Sequence, residues 1–230
     1  MIRAGHQQGA ASTFVACYGG TFDPIHLGHV QAALDVLANS GCDELRVIPA
    51  ALPPHRQQPG ASPEQRLHMV DLAFADQVGV RVDPVELRRD GPSYTVDTLG
   101  QLRRELGPRA AIGWVLGTDA LAGLTRWHRW SELMTLAHLL VLERPGYPLP
   151  LTGPLGDLVT ERRVDAAVAL RQAPSGLLWC VGQRPMAVSA TQVRELLRRR
   201  SSQGVGMAAD GLLSPAVWAY IREAGLYNSS

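Results

Sequence analysis

Tyr18-Gly19-Gly20-Thr21-Phe22-Asp23-Pro24-Ile25-His26-Leu27-Gly28-His29 is the stretch on which the reading of this 230-residue chain turns. Before it, Thr13–Tyr18 has the make-up of a short buried strand. After it, His29–Asn39 takes up helical spacing, with Val30, Ala33, Leu34 and Leu37 on one face and Gly41 to close it. Gly19 and Gly20 at the strand end let backbone approach a ligand closely. His26 and His29 lie three residues apart about Gly28, where the helix begins, so both rings can face one spot. A helix N-terminus attracts anions through free N–H groups and its dipole. Two imidazoles there can donate hydrogen bonds to a polyphosphate and stabilise charge that builds in a transition state. The plainer alternatives are a turn with two solvated histidines, or a metal pair that lacks a third ligand.

Outward from this stretch, strands and helices alternate. Glu44–Ile48 reads as a strand and Pro49–Ser62 as a Pro-rich loop. Ser62-Pro63-Glu64 has the make-up of an N-cap, a first-turn proline and a first-turn acid, for a helix running to about Ala75. Val80–Val82 and Val85–Leu87 are strand-like pieces, and Ser93 is placed to cap a helix through Leu106. Ile112–Leu116 is a buried strand followed by Gly117-Thr118-Asp119, Trp130–Ala137 is helical, and Leu139–Leu142 is a further strand. Pro145–Pro154 reads as a loop, Leu177–Val181 as the last strand, and Ser189–Arg200 and Ser214–Gly225 as helices. Strands that are apolar throughout, alternating with helices, argue for an α/β doubly wound parallel sheet covered on both faces, with a short C-terminal helical region. Residues 1–12 read as a flexible extension and 13–230 as one domain that includes the helices of 189–227. Ligands of such folds sit at the carboxyl ends of the strands. That points to Gly19–Gly28, Pro49–Ser62, Gly117–Leu124 and the turn into Ser189.

Composition narrows the chemistry further. All 22 basic residues are Arg, set against 21 acids, for a formal net charge of +1. Without Lys there is no Schiff-base lysine and no P-loop lysine. Arg stays charged, so proton transfer would fall to His, Asp, Glu, Tyr or Cys. The near-neutral balance argues against nucleic acid as a partner. Cys17, Cys42 and Cys180 form no C-x-x-C pair, and the expected setting is a reduced cytoplasm. No apolar run has the length of a membrane span, and residues 1–12 lack the apolar stretch of a signal peptide.

Gly19 to His29 closely resembles the signature of the nicotinate-mononucleotide adenylyltransferase family, H-x-G-H nucleotidyltransferases on a Rossmann-like fold. The resemblance extends through Pro53-Pro54-His55-Arg56, Gly91-Pro92-Ser93-Tyr94-Thr95, Gly117-Thr118-Asp119, Trp127-His128-Arg129-Trp130, Ser189-Ala190-Thr191-Gln192-Val193-Arg194 and the Gly225-Leu226-Tyr227 ending. It covers about Val15 to Tyr227. It implies adenylyl transfer from ATP to nicotinate mononucleotide, giving nicotinic acid adenine dinucleotide and pyrophosphate, a step of NAD biosynthesis. His26, His29 and Arg194 are then the expected catalytic residues. ATP is expected on Gly19, Gly20, Thr21, Phe22, His26, His29, Arg56, Gly117, Asp119, Ser189, Thr191 and Arg194. Nicotinate mononucleotide is expected on Thr21, Phe22, Tyr94, Thr95 and Trp127, the Trp ring offering a stacking face. Mg2+ is expected as cofactor, held through the ATP phosphates with no dedicated protein ligands.

Some roles stay open at this point. Asp23 either fixes the loop through backbone N–H groups or contacts ligand, with the first preferred. Asp119 either receives ribose hydroxyls or caps the short helix after it. Arg56 stands where the family often has Lys, and Ala190 where it often has a second Ser. Trp114 and Trp130 are assigned to the core, His68 and His138 to structure or surface, and Arg198-Arg199-Arg200 to a solvated face. The rival readings are another H-x-G-H enzyme, such as a pantetheine-phosphate adenylyltransferase, and a non-catalytic nucleotide sensor. Self-association is compatible with the sequence, which fixes no oligomeric state.

Overall fold

The computed structural model describes residues 13–53, 59–143, 146–182, 188–203 and 211–228, without the side chains of 200–203. Residues 1–12, Arg56, Pro145, the Arg200 side chain and most of the link before the last helix lie outside them. Seven strands form one sheet: β1 (Phe14–Gly20), β2 (Glu44–Pro49), β3 (Val80–Val82), β4 (Ala111–Gly117), β5 (His138–Leu142), β6 (Arg163–Val164) and β7 (Leu178–Val181). Their order is β3-β2-β1-β4-β5-β7-β6, and every paired neighbour is parallel. The α/β reading with a doubly wound parallel sheet is thus the observed architecture.

Side chains of successive strand residues point to opposite faces. In β1, Phe14, Ala16 and Tyr18 enter one apolar cluster, while Val15 and Cys17 enter the other. The first cluster is covered by α1 (Leu27–Ser40), α2 (Pro63–Phe74), α7 (Ala190–Gln203) and α8 (Pro215–Glu223), through Val36, Met69, Val193 and Ile221 among others. The second lies under α3 (Thr95–Leu106), α4 (Thr118–Leu121), α5 (Leu133–Leu136) and α6 (Gly153–Arg162), through Leu99, Leu121, Leu133 and Val159. Burial on both faces is why β1, β4 and β5 carry no polar alternation.

The chain leaves β1 toward β2 on one side, and β4 flanks β1 on the other. The strand order reverses there, which opens a crevice at the carboxyl ends of β1 and β4. Local chemistry sets the helices around it. Gly41 closes α1 at φ 70°, a conformation costly to residues with a Cβ. Ser62 accepts from the Gln65 backbone N–H while the Gln65 side chain accepts from the Ser62 N–H, with Pro63 opening α2.

Four expectations change. Val85–Leu87 is a turn, because Pro84 interrupts the alternation and Val85 and Glu86 are both buried. Tyr94, not Ser93, is the N-cap of α3, with no side-chain cap; the Ser93 hydroxyl instead accepts the Ala51 and Leu52 backbone N–H groups. Trp130–Ala137 divides into a 3-10 turn, Trp130–Glu132, and the short α5. The Pro-rich loop ends at α6, where Pro154 opens a helix, and α6 leads to the two-residue edge strand β6, which lies outside β7. Among the described residues no helix is long and apolar enough to cross a membrane.

Candidate active site

A cavity of about 440 Å3 opens at the crevice between β1 and β4. Tyr18 to Asp23 form its floor, with Trp114 to Gly117 beside them. Ser93, Tyr94 and Thr95 at the start of α3 form one side, with Trp127 and His128 close by. His29, Asp119 and Ala190 complete the wall.

His26 is the N-cap of α1 and His29 its third helical residue. Each backbone N–H donates to the Nδ1 of the other ring at 3.3 Å, a capping box made of two imidazoles. The rings stack with centroids 3.6 Å apart and planes at 22°. Because both Nδ1 atoms accept, a neutral ring carries its hydrogen on Nε2. The helix start therefore fixes the orientation and the tautomer of both rings together.

The neighbouring backbone is shaped to hold this pair. Phe22 is buried at φ 49°, an uncommon conformation for an aromatic residue, and its ring meets His29 edge-on at 5.1 Å. A Cβ on Gly20 would lie 2.8 Å from the Phe22 ring, and one on Gly28 would lie 2.6 Å from a Val188 methyl. A Cβ on Gly19 would run into the Trp114 ring. These glycines are required by close approach.

Asp23 takes the loop-fixing role. Its carboxylate accepts from the Gly60 N–H at 2.9 Å, the Ala61 N–H at 3.2 Å and the Tyr227 hydroxyl at 2.7 Å. Burial and the Asp23 charge push the Tyr227 phenol well up, so it stays a donor. Arg194 donates to the Asp23 carbonyl at 2.6 Å and to the Thr191 hydroxyl at 3.3 Å. Ser189 caps α7, accepting the Gln192 N–H at 3.2 Å. Asp119 stands in the first turn of α4, whose N-cap is Gly117 with no side-chain cap, so the capping alternative for Asp119 is not the one realised.

The structure thus gathers Gly19, Gly20, Thr21, Phe22, His29, Tyr94, Thr95, Gly117, Asp119 and Trp127 on one cavity wall. His26 stacks behind His29. Ser189, Thr191 and Arg194 stand beside the cavity at the start of α7, not on its wall. Trp114 is core, as expected, and is also cavity wall. His138 is buried, with Nε2 at 2.9 Å from the Ala173 carbonyl and Nδ1 accepting from the Leu177 N–H at 3.1 Å; its role is structural.

Two residues escaped the sequence reading. Arg66 is fully buried and donates to the carbonyls of Thr21 at 2.7 Å, Ala51 at 3.1 Å and Ala61 at 3.3 Å. It ties the loop after β1, the loop after β2 and the entry to α2 to one guanidinium. Burial lowers its pKa, but Arg stays charged. The signal was there: Arg66 shares a helix face with Met69 and Val70. Glu86 lies in the cavity wall, accepts from the Thr98 hydroxyl, and has its pKa raised by burial. Reading Val85–Leu87 as a strand placed Glu86 on the face opposite Val85 and so hid it.

Residues 17–196 match the cytidylyltransferase-like family. A probable nicotinate-nucleotide adenylyltransferase of Cellvibrio japonicus is 44% identical over 91% of this chain and 96% of its own length. One of the same name from Pseudomonas fluorescens is 45% identical over 94% of this chain and 97% of its own. Among solved structures, the Plasmodium falciparum nicotinic acid mononucleotide adenylyltransferase complexed with NaAD superposes with a TM-score of 0.69 at 17% identity, covering 94% of this chain and 97% of that one. At that identity the superposition speaks for a shared fold. With the family match spanning most of the chain and near-full-length relatives at 44% and 45% identity, the chain belongs to the cytidylyltransferase-like family and, within it, to the nicotinate-nucleotide adenylyltransferases.

Proposed function

We propose that this protein transfers the adenylyl group of ATP to nicotinate mononucleotide. A phosphate oxygen of the mononucleotide attacks the α-phosphorus in line. The new P–O bond forms as the bond from the α-phosphorus to the bridging oxygen of the β-phosphate breaks, and pyrophosphate leaves. The nucleophile is already an anion, so no strong base is needed, and catalysis consists of positioning and charge neutralisation. That suits a chain without Lys and a cavity whose described wall holds no Cys.

The observation that carries the reading is the His26–His29 pair, locked by its own backbone at the helix start beside the cavity. With both Nδ1 atoms engaged, the Nε2–H groups are the donors for α- and β-phosphate oxygens, and His29, in the wall, is assigned the transition-state contact. Arg194, Ser189, Thr191 and Arg56 serve the outer phosphates, and Gly117 and Asp119 the ribose. Arg194 reaches them by exchanging its hold on the Asp23 carbonyl for phosphate oxygens. Thr21 and Phe22 face both substrates, while Tyr94, Thr95 and Trp127 take the pyridine ring. Among the described residues no group of three His, Cys, Asp or Glu is placed to hold a metal. We assign the divalent cation, Mg2+, to the ATP phosphates, where it would supply charge neutralisation. A cytoplasmic setting and a single catalytic domain over 13–230 belong to the same proposal.

The test is pyrophosphate release by the pure protein given Mg-ATP and nicotinate mononucleotide. Steady release with matching formation of the dinucleotide is expected. No release under conditions where the protein is folded would overturn the reading.

A further inference from the structure

The carboxylate of Asp23 is buried in the loop that leads to the histidine pair. Taking a carboxylate out of water is costly unless donors replace the lost hydration. Here Oδ1 accepts from the Tyr227 hydroxyl at 2.7 Å and the Ala61 N–H at 3.2 Å, and Oδ2 from the Gly60 N–H at 2.9 Å. All three donors are neutral. Among the described residues, Arg194 is the cation within ion-pair distance, its Nη1 standing 3.8 Å from Oδ2. That nitrogen gives its hydrogen bond to the Asp23 carbonyl instead, at 2.6 Å. Arg66, the other guanidinium near this loop, is committed to three carbonyls.

Tyr227 reaches Asp23 at a backbone cost. After α8 the chain passes through Gly225 at φ 63° and Tyr227 at φ 61°, and the second value is an outlier for a bulky side chain. Such a conformation persists only where its surroundings hold it, and it points to a role. The buried ring lies so close to Gly60 that a Cβ there would sit 2.9 Å from it. Packing alone would be served equally by Phe. The hydroxyl is what Asp23 uses.

We propose that Tyr227 is a positioning residue for ATP: by donating its hydroxyl to Asp23 it keeps the Asp23–Arg194 ion pair loose, so that Arg194 stays available to the outer phosphates. The inference rests on the adenylyl-transfer reading above, which assigns Arg194 to those phosphates. Without the hydroxyl, Oδ1 keeps one N–H donor at 3.2 Å, and the carboxylate charge is poorly offset. Arg194 is the cation placed to close on it, by a shift of about 1 Å to charge-assisted hydrogen-bond distance. A closed pair then competes with phosphate oxygens for the same guanidinium. Tyr227 thus acts through Asp23 and Arg194 and not on the reacting atoms.

Calorimetry measures the dissociation constants of Mg-ATP and of AMP for the wild type, Tyr227→Phe, Arg194→Ala and the double variant, with melting curves to establish that each is folded. Phe keeps the ring against Gly60 and removes only the hydroxyl. Tyr227→Phe is expected to weaken Mg-ATP about tenfold and AMP, which lacks the outer phosphates, by less than about threefold. In the Arg194→Ala background the same change should cost less than about twofold, because the residue it acts through is gone. Steady-state kinetics should show the KM for ATP rising in Tyr227→Phe while that for nicotinate mononucleotide stays within about threefold of wild type. Unchanged ATP affinity would overturn the proposal. So would equal losses for ATP and AMP, or a loss that persists in full without Arg194, since either marks a hydroxyl that serves folding alone. A wild type that binds Mg-ATP yet turns over no mononucleotide overturns the adenylyl-transfer reading, while the Arg194 cycle still decides this inference. A folded wild type that does not bind Mg-ATP overturns both.

Discussion

Replacing Arg66 with Met tests whether one buried guanidinium holds the active-site loops. The substitution removes three hydrogen bonds, to the carbonyls of Thr21, Ala51 and Ala61. Each carbonyl left without a partner costs about 1–3 kcal/mol. Two effects reduce the sum. The three losses share one side chain and are not additive. Met also relieves the desolvation of a cation that has no carboxylate within ion-pair distance among the described residues, a relief that can reach a few kcal/mol. Against those, Met cannot bridge three loops. The net expectation is a loss of about 3 kcal/mol, or roughly 6–12 °C in Tm for a chain of this size. Lys, with one compact donor head, should recover about half. Urea unfolding gives the stability and steady-state kinetics give the rate. A drop in kcat of about tenfold or more is expected, since Thr21 adjoins the glycines that approach the substrates. An Arg66→Met protein within about 0.5 kcal/mol of wild type, with normal kcat, would refute the reasoning.

Gly28→Ala places a methyl 2.6 Å from Val188 and 3.1 Å from the His26 Nδ1, so it should cost about 1–3 kcal/mol of stability and, by moving His26, lower kcat more than it raises either KM; normal turnover would show that the ring pair tolerates displacement. His138 is held neutral by burial, with its pKa lowered from the usual 6.5. Its folded form binds fewer protons than its unfolded form, so its contribution is complete above pH 6.5 and is lost as pH falls through the lowered value. Melting curves from pH 8 to 5 should therefore fall less steeply for His138→Gln than for wild type, and parallel curves would contradict this.

What was legible in the sequence follows the strength of local signals. The parallel sheet showed itself because β1, β4 and β5 are apolar on both faces, and no half-buried strand looks like that. The helix starts at Ser62 and Ser214 were legible because hydroxyl-then-proline is a local code. The histidine pair was legible as a spacing. Its mutual capping was not, since an imidazole at an N-cap is no part of that code. Ser93 misled for a related reason: a hydroxyl one residue before a helix is equally able to hold a distant loop, and here it holds Ala51 and Leu52. The role of Asp23 was legible, but its partners and those of Arg66 were not, because they lie up to 45 residues away for Arg66 and 204 for Asp23, and only the folded chain brings those groups together. The β6 edge strand is two residues long and carries no pattern at all.

The most direct test of the central claim is kcat for His29→Ala with Mg-ATP and nicotinate mononucleotide. Loss of a donor aimed at developing phosphate charge should lower kcat by about a hundredfold or more, with KM for both substrates within about threefold of wild type. A variant with near-normal kcat, or one whose loss lies wholly in KM, would contradict the assignment of the stacked histidine pair to the transition state.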